Sequence, residues 1–315
     1  MRAVVILFFC FPFIVYANDL SLNNALREAY DACVGINTEL LTLKKMAGIN
    51  TAVTGAGTVA GGVALGTGIA KSAIDSERVE LEKELQDEIK KLQELDAKQT
   101  KIDKIPTGGA NNSDKQMADN TNVAANNTGE NQKKAKLEEL ERKSKNLGNI
   151  RTGTLATAAV ADVAGTIIAA NNRTSDDLQA QIDTCIQSVE KLSKESIQAR
   201  LDGADQEKIS VANKVIQECG AWDTVDLSKI NKRATGAAVS SGIGATMAIA
   251  GTIASASANT KTDKNKEKNL NITANVMAGG TTVASGVATI FNATQINAIK
   301  HAVAVAEKCE EAFKQ

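Results

Sequence analysis

Residues 51–70 read TAVTGAGTVAGGVALGTGIA, a stretch without a charged side chain. It holds six glycines, five alanines and four threonines but a single leucine. About 20 residues at 1.5 Å each cross the roughly 30 Å hydrocarbon core of a bilayer. Side chains this small fill space only where helix backbones approach closely. The length therefore fits a membrane helix, and the composition fits a helix packed tightly against others.

Three further stretches have the same character, at 153–170, 234–258 and 272–293. Beyond residue 17 the chain holds a single proline, Pro106, and long runs of good helix formers. We therefore predict an all-α fold of two tandem Gly/Ala-zipper helical hairpins, with four long helices.

The two hairpins have the character of an internal repeat. The offset that places Val160 on Val283 also places Asn146 and Leu147 on Asn269 and Leu270. The predicted hairpins differ mainly at the tip, which is a short lysine-rich segment in the second and a long insertion in the first.

The insertion, 76–148, carries leucines and an isoleucine at the a and d spacing of an antiparallel coiled-coil hairpin. These residues are Leu81, Leu85, Leu92, Leu95, Ile102, Leu137, Leu140 and Leu147. Residues 106–132 have almost nothing apolar to bury, which predicts a disordered tip. The alternative is a lone charged surface helix over 76–102.

These patterns divide the chain into five parts. Residues 1–17 have the layout of a secretory signal peptide. An N-terminal helix and the first small-residue helix follow at 18–75, and the coiled-coil insertion occupies 76–148. The second arm of the first hairpin is 149–200, and the second hairpin is 201–315.

Small residues four apart predict the helix-packing faces, because small-xxx-small rows let helices associate in membranes. In the first helix they are Gly48, Ala52, Ala56, Ala60, Ala64 and Gly68. In the third they are Ala234, Ala238, Gly242, Ala250 and Ala254.

Two features oppose a membrane location. The threonines, serines and glycines lower the hydropathy of the segments, and no belt of Trp and Tyr flanks them. Asp162 lies in the middle of the second segment, where it is either an intramembrane polar group with a function or a residue on the wet side of a soluble bundle.

The signal peptide predicts export, and the formal net charge of −1 gives no argument for nucleic acid. Four crossings would return both ends and the connector 171–233 to the outside. The lysine-rich loop 259–269 would then be cytoplasmic, as the positive-inside tendency favours.

Four cysteines remain in the exported chain, and an oxidising compartment favours disulfides. Cys33 and Cys185 stand at nearly equal distances from the ends of the first hairpin's small-residue segments, and Cys219 and Cys309 repeat this spacing in the second. We predict these two pairs as disulfides. The alternative is four buried thiols in a reducing compartment.

The sequence offers no catalytic constellation, cofactor site or metal site. His301 is the only histidine, and its polar helical context predicts a surface position. The glycines in TGAGTVAGG resemble a dinucleotide loop only weakly, because no strand precedes them. No small-molecule substrate is evident.

The predicted function is non-enzymatic. We expect a cell-envelope protein, membrane-embedded or membrane-associated, with a self-association or scaffolding role. One alternative is a soluble periplasmic or secreted adaptor that binds a protein partner through the coiled-coil arm. Another is a channel or pore component lined by threonines and Asp162.

Overall fold

A computed structural model describes residues 20–102, 113–260 and 263–314, and within these ranges it is helical with no strand. The predicted all-α fold is confirmed. The helices are α1 (residues 20–33), α2 (Ile36–Ile102), α3 (Ser113–Asn171), α4 (Asp176–Leu201), α5 (Gln206–Cys219), a 3-10 turn (Gly220–Thr224), α6 (Leu227–Asn259) and α7 (Lys264–Ala312). The predicted signal peptide lies outside the described residues.

Local sequence explains several helix boundaries. Gly35, with φ 100°, forms the turn between α1 and α2, a conformation that favours glycine. The Ser175 hydroxyl accepts the Leu178 N–H and caps α4, and the Asp205 carboxylate accepts the Glu207 N–H and caps α5.

The chain forms two compact units whose boundaries cross the long helices. Of the described residues, unit 1 contains 20–58, 160–245 and 283–314. Unit 2 contains the described part of 59–159 together with 246–282 except residues 261 and 262. Each unit therefore takes residues from both predicted hairpins. The domain boundaries expected at 75, 148 and 200 stay a prediction.

One large hydrophobic core lies in unit 1 and is built by α1, α4, α5 and the adjoining ends of α2, α6 and α7. Its largest buried residues are Leu22, Ile36, Leu40, Leu178, Leu192, Trp222, Ile230 and Ile299. All four described cysteines lie within this core.

The long helices bury one residue alternately every third and fourth position. In α7 the buried positions with this spacing are 271, 274, 278, 281, 285, 288, 292, 295, 299, 302, 306 and 309, and near the C-terminal end 303, 305 and 312 are buried as well. This is the a and d spacing of helical bundles, which averages 3.5 residues. In α7 many of these positions hold Ala, Ser, Thr or Asn instead of Leu.

The predicted packing rows follow this face only in part. Ala64 and Gly68 are buried, but Gly48 and Ala60 are half-buried, and Ala52 and Ala56 are exposed. In α6 the row fits better, since Ala234, Ala238 and Ala254 are buried and Gly242 and Ala250 half-buried. Residues four apart advance by about 40° on a helix of 3.6 residues per turn, so a strict row of fours winds off the buried face.

In unit 2 the end of α2 and the start of α3 run antiparallel. Lys136 pairs with Glu77 at 2.9 Å, and Lys133 pairs with Glu84 at 3.8 Å and with Glu88. In this region Leu81 and Leu140 are buried, whereas Leu85, Leu137 and Leu147 are half-buried.

The outer part of the insertion is described less fully. The side chains of Leu92, Leu95 and Ile102 lie outside the described residues, so full coiled-coil packing stays a prediction. Of the predicted disordered tip, residues 106–112 also lie outside the description, whereas 113–132 belong to α3.

Candidate functional site: a polar bundle interior

Asp162 of α3 is fully buried in unit 1, in a layer formed by four helices. The Ser285 hydroxyl of α7 lies 2.9 and 2.7 Å from the two carboxylate oxygens and donates to them. A Cβ on Gly57 of α2 would lie 2.8 Å from Oδ1, and one on Gly244 of α6 would lie 2.5 Å from Oδ2. The two glycines therefore leave the space that the carboxylate occupies.

No described lysine or arginine forms an ion pair with Asp162. The nearest arginines in the sequence, Arg151 and Arg173, each stand 11 residues away. That separation is about 16 Å along a helix, where two unit charges attract by only about 1 kcal/mol at an effective dielectric constant of 20. Burying a carboxylate costs several kcal/mol, so distant cations compensate little of that cost.

A network of amides and hydroxyls lies next to the Asp162 layer in unit 1. Asn50 Nδ2 donates to Asn292 Oδ1 at 2.9 Å, and Asn292 Nδ2 donates to Thr54 Oγ1 at 3.3 Å. Thr289 Oγ1 donates to Thr54 Oγ1 at 3.1 Å. Polar side chains thus occupy positions where a soluble bundle carries its apolar core.

Three buried oxygens of unit 1 have no hydrogen-bond partner among the described residues, and two of them are Asn50 Oδ1 and Ser241 Oγ; the third is Asn37 Oδ1, in the first turns of α2. The oxygens of Asn50 and Ser241 lie beside Gly165, since a Cβ there would lie 3.4 Å from the Asn50 oxygen and 3.3 Å from the Ser241 oxygen. Gly165 is three residues after Asp162, on the same face of α3. The two oxygens therefore face a point about one helical turn from the carboxylate.

Unit 2 contains a buried arginine held by neutral side chains. Arg151 Nε donates to Ser255 Oγ at 2.9 Å, Nη1 to Asn275 Oδ1 at 3.0 Å and Nη2 to Asn271 Oδ1 at 2.6 Å. The planar guanidinium fits several acceptors at once. It links α3 with α6 and α7.

An ionic cluster forms a second polar site in unit 2. Lys71, nearly fully buried, lies 2.7 Å from Asp75 and 3.2 Å from Glu267. Ser144 donates to Asp75 at 2.6 Å, and Arg78 lies 3.7 Å from Glu267. Each buried charge has a partner of opposite sign, as burial requires.

The outward faces of the same helices are apolar in both units. In unit 1 the exposed residues include Ile49, Val160, Val163, Ile167, Val239, Ile243, Val283, Val287 and Ile290. In unit 2 they include Val59, Val63, Ile69, Val79, Ile150, Ile249, Ile253, Ile272 and Val276. Polar residues inside and valine or isoleucine outside reverse the usual arrangement of a soluble bundle.

Three helical stretches within the described chain are long and apolar enough to cross a membrane: Leu20–Lys91, Asn131–Leu201 and Gln206–Asn259. The segment of α7, which the sequence grouped with the other three, is not among them. Its asparagines, including Asn275 and Asn292, lower its apolarity.

The cysteines form the two bonds expected from hairpin geometry, with S–S distances of 2.01 Å for Cys33–Cys185 and 1.98 Å for Cys219–Cys309. The first joins α1 to α4, and the second joins α5 to α7. The Sγ atoms of Cys33, Cys219 and Cys309 all lie within 4.8 Å of one another. Disulfides fit an oxidising environment.

The predicted surface histidine, His301, is exposed, and its Nε2 lies 3.1 Å from Thr224 Oγ1. Of the polar interior, sequence reasoning singled out only Asp162. It missed Asn50, Ser241 and Arg151. The signal that could have identified them is that each stands three or four residues from other polar or small residues on its helix.

No protein family model matches the chain, and neither the curated proteins nor the solved structures contain a match.

Proposed function

We propose that the protein is a non-enzymatic, membrane-embedded helical bundle of the cell envelope with a self-association or scaffolding role. The observation that carries this proposal is the reversed polarity of the bundle, whose outward faces present valine and isoleucine while Asp162, Asn50 and Arg151 lie inside. Water penalises such a surface, whereas lipid tails solvate it.

The distribution of charge supports the same conclusion. Residues 46–70, 234–260 and 269–299 contain no charged side chain, and 152–172 contain only Asp162. Each stretch reaches the length of about 20 residues that a bilayer core requires. Polar groups in lipid face the bundle interior, which is where these helices carry them.

Disulfides and chain connectivity support an exported orientation. With a cleaved signal peptide and four crossings, of which the α7 crossing is the least apolar, the cysteines would lie outside. The lysine-rich loop 259–269 and the insertion 76–148 would then be cytoplasmic, since both join helices at the ends away from the cysteines.

Self-association has its best support on α2 in unit 2. Gly62 and Gly66 are exposed, and a Cβ at either would meet no atom within 4 Å. Val59 and Val63 flank them on the surface. Two glycines four apart on a lipid-facing surface allow a second helix to approach closely.

Alkaline carbonate extraction tests membrane embedding. We expect the full chain to stay in the membrane pellet. Release into the soluble fraction would contradict the proposal and favour the soluble adaptor.

The double variant Gly62→Ile/Gly66→Ile tests self-association. Light scattering of the protein in detergent micelles should give a smaller oligomer than wild type, because two bulky side chains block close helix approach. Gly153→Ile, at another exposed and open glycine of unit 2, is the matched control and should keep the wild-type oligomer. Equal oligomer sizes in all three proteins would contradict an interface at this glycine pair.

A further inference from the structure

We propose that unit 1 binds one monovalent cation of about the size of Na⁺, between the Asp162 carboxylate and the side-chain oxygens of Asn50 and Ser241. This inference goes beyond the membrane proposal, because a cation site in the bundle interior does not depend on what surrounds the bundle.

The first observation is the isolated charge of Asp162. The carboxylate is fully buried and is contacted by the Ser285 hydroxyl and the two glycine backbones. No described lysine or arginine is paired with it. Asp162 is the only charged residue in 152–172, and the neighbouring helices carry no charged residue over 46–70, 234–260 and 269–299. A buried carboxylate of this kind needs a counterion or a proton.

The second observation is independent of the carboxylate. Asn50 Oδ1 and Ser241 Oγ are fully buried and have no partner in the described part of the chain. Both face Gly165, about one turn along α3 from Asp162. Buried polar atoms are rarely left unsatisfied, so two of them beside the same glycine indicate a bound polar species nearby.

The chemistry of the donors selects the class of ion. All of the groups are oxygens, which favours a hard cation over a transition metal. One carboxylate balances one positive charge, whereas Ca²⁺ takes six to eight oxygen ligands, commonly several carboxylates, and Mg²⁺ keeps several waters.

Ligand-dependent thermal stability of the purified full chain in detergent tests the site. The chain is titrated with NaCl at constant ionic strength, with N-methylglucamine chloride as the replacement salt. Wild type should gain about 2–3 °C in melting temperature at a Na⁺ concentration ten times Kd. Asp162→Asn should lose this gain, because the nearly isosteric amide removes the charge that the ion neutralises.

A second variant keeps the test decisive if Asp162→Asn does not fold. Ser241→Ala removes only one neutral oxygen ligand and should raise the apparent Kd for Na⁺ several-fold, whereas Ser228→Ala, at an exposed position of α6, should not. Radioactive ²²Na⁺ binding should give one site per chain in wild type.

Other outcomes would overturn the proposal. One is a wild-type melting temperature that does not change with Na⁺, K⁺ or Li⁺. Another is a Na⁺ response that is equal in wild type and in both site variants. Stabilisation by Ca²⁺ alone would refute a monovalent site, and stabilisation by acid alone would show that a proton neutralises the carboxylate.

Discussion

Gly61 and Gly62 are neighbours on α2 but have opposite surroundings. A Cβ on Gly61 would lie 2.8 Å from Thr282 Oγ1 and 3.2 Å from the Thr282 backbone nitrogen, whereas a Cβ on Gly62 would meet no atom within 4 Å. Gly61→Ala should lower the free energy of unfolding by about 1–3 kcal/mol, because the α7 backbone must move. Gly62→Ala should leave it unchanged or raise it by up to about 1 kcal/mol through helix propensity.

Chemical denaturation of both variants in the same detergent measures this difference. Equal effects at the two positions would contradict the close approach of α2 and α7 in unit 2.

Arg151 provides a second prediction at the residue scale. Arg151→Leu leaves the side-chain oxygens of Asn271 and Asn275 without their donor in a buried site, and should lower the free energy of unfolding by about 2–4 kcal/mol. Arg142→Leu, an exposed arginine on the same helix, is the control and should change it by less than about 0.5 kcal/mol. A denaturation midpoint that is equal for the two variants would show that the buried amide contacts contribute nothing.

At the scale of the helix, the contacts that the described part of the insertion makes with the rest of unit 2 lie near its base. Ser144, Asp75, Arg78 and Glu267 form contacts there, whereas the ion pairs of Lys133 lie further out. Replacing 84–134 by a short glycine-rich turn should leave the melting temperature nearly unchanged, because loop length affects folding entropy weakly.

The longer deletion, 76–145, is the matched comparison. It removes Arg78 and Ser144 and should destabilise the protein by about 2–4 kcal/mol through lost buried polar contacts. Differential scanning calorimetry distinguishes the two. Equal destabilisation by both deletions would mean that the outer arm is part of the folded core.

The disulfides act at the same scale because each joins two helices. The bonds span 152 residues for Cys33–Cys185 and 90 for Cys219–Cys309. Replacing either pair by alanine should therefore cost roughly 4–5 kcal/mol by the chain-entropy estimate.

Denaturation of the two alanine double variants measures this cost, and non-reducing peptide mapping checks the pairing. Thiols should be alkylated in acid before digestion, because the sulfurs of the two bonds are close enough to exchange. A peptide that joins Cys33 to Cys219 would refute the pairing.

For the whole molecule, the sequence predicted what depends on local pattern and on hairpin symmetry. The low proline content predicted the helices, and equal chain distances predicted the paired cysteines. It did not predict the buried face of α2. A row of residues four apart is visible in the sequence, but such a row drifts around a helix. The buried face instead contains Asn50, Thr54 and Gly57.

The candidate site was harder to predict than the fold for the same reason. Asp162 was conspicuous as a lone charge in an apolar stretch, but its partners are ordinary residues on other helices. Ser285, Gly57 and Gly244 contact it only because four buried faces meet, and no local pattern encodes that meeting.

The central claim is that the outward valines and isoleucines contact lipid while the polar residues face inward. Labelling of the protein in its membrane by a lipid-soluble carbene probe, read out by mass spectrometry of peptides, tests this most directly. We predict labelling at outward positions such as Val160, Ile243 and Val283, and none at Thr54 or Asn292. Labelling absent from the outward positions, with those same residues oxidised by hydroxyl radicals generated in water, would contradict it.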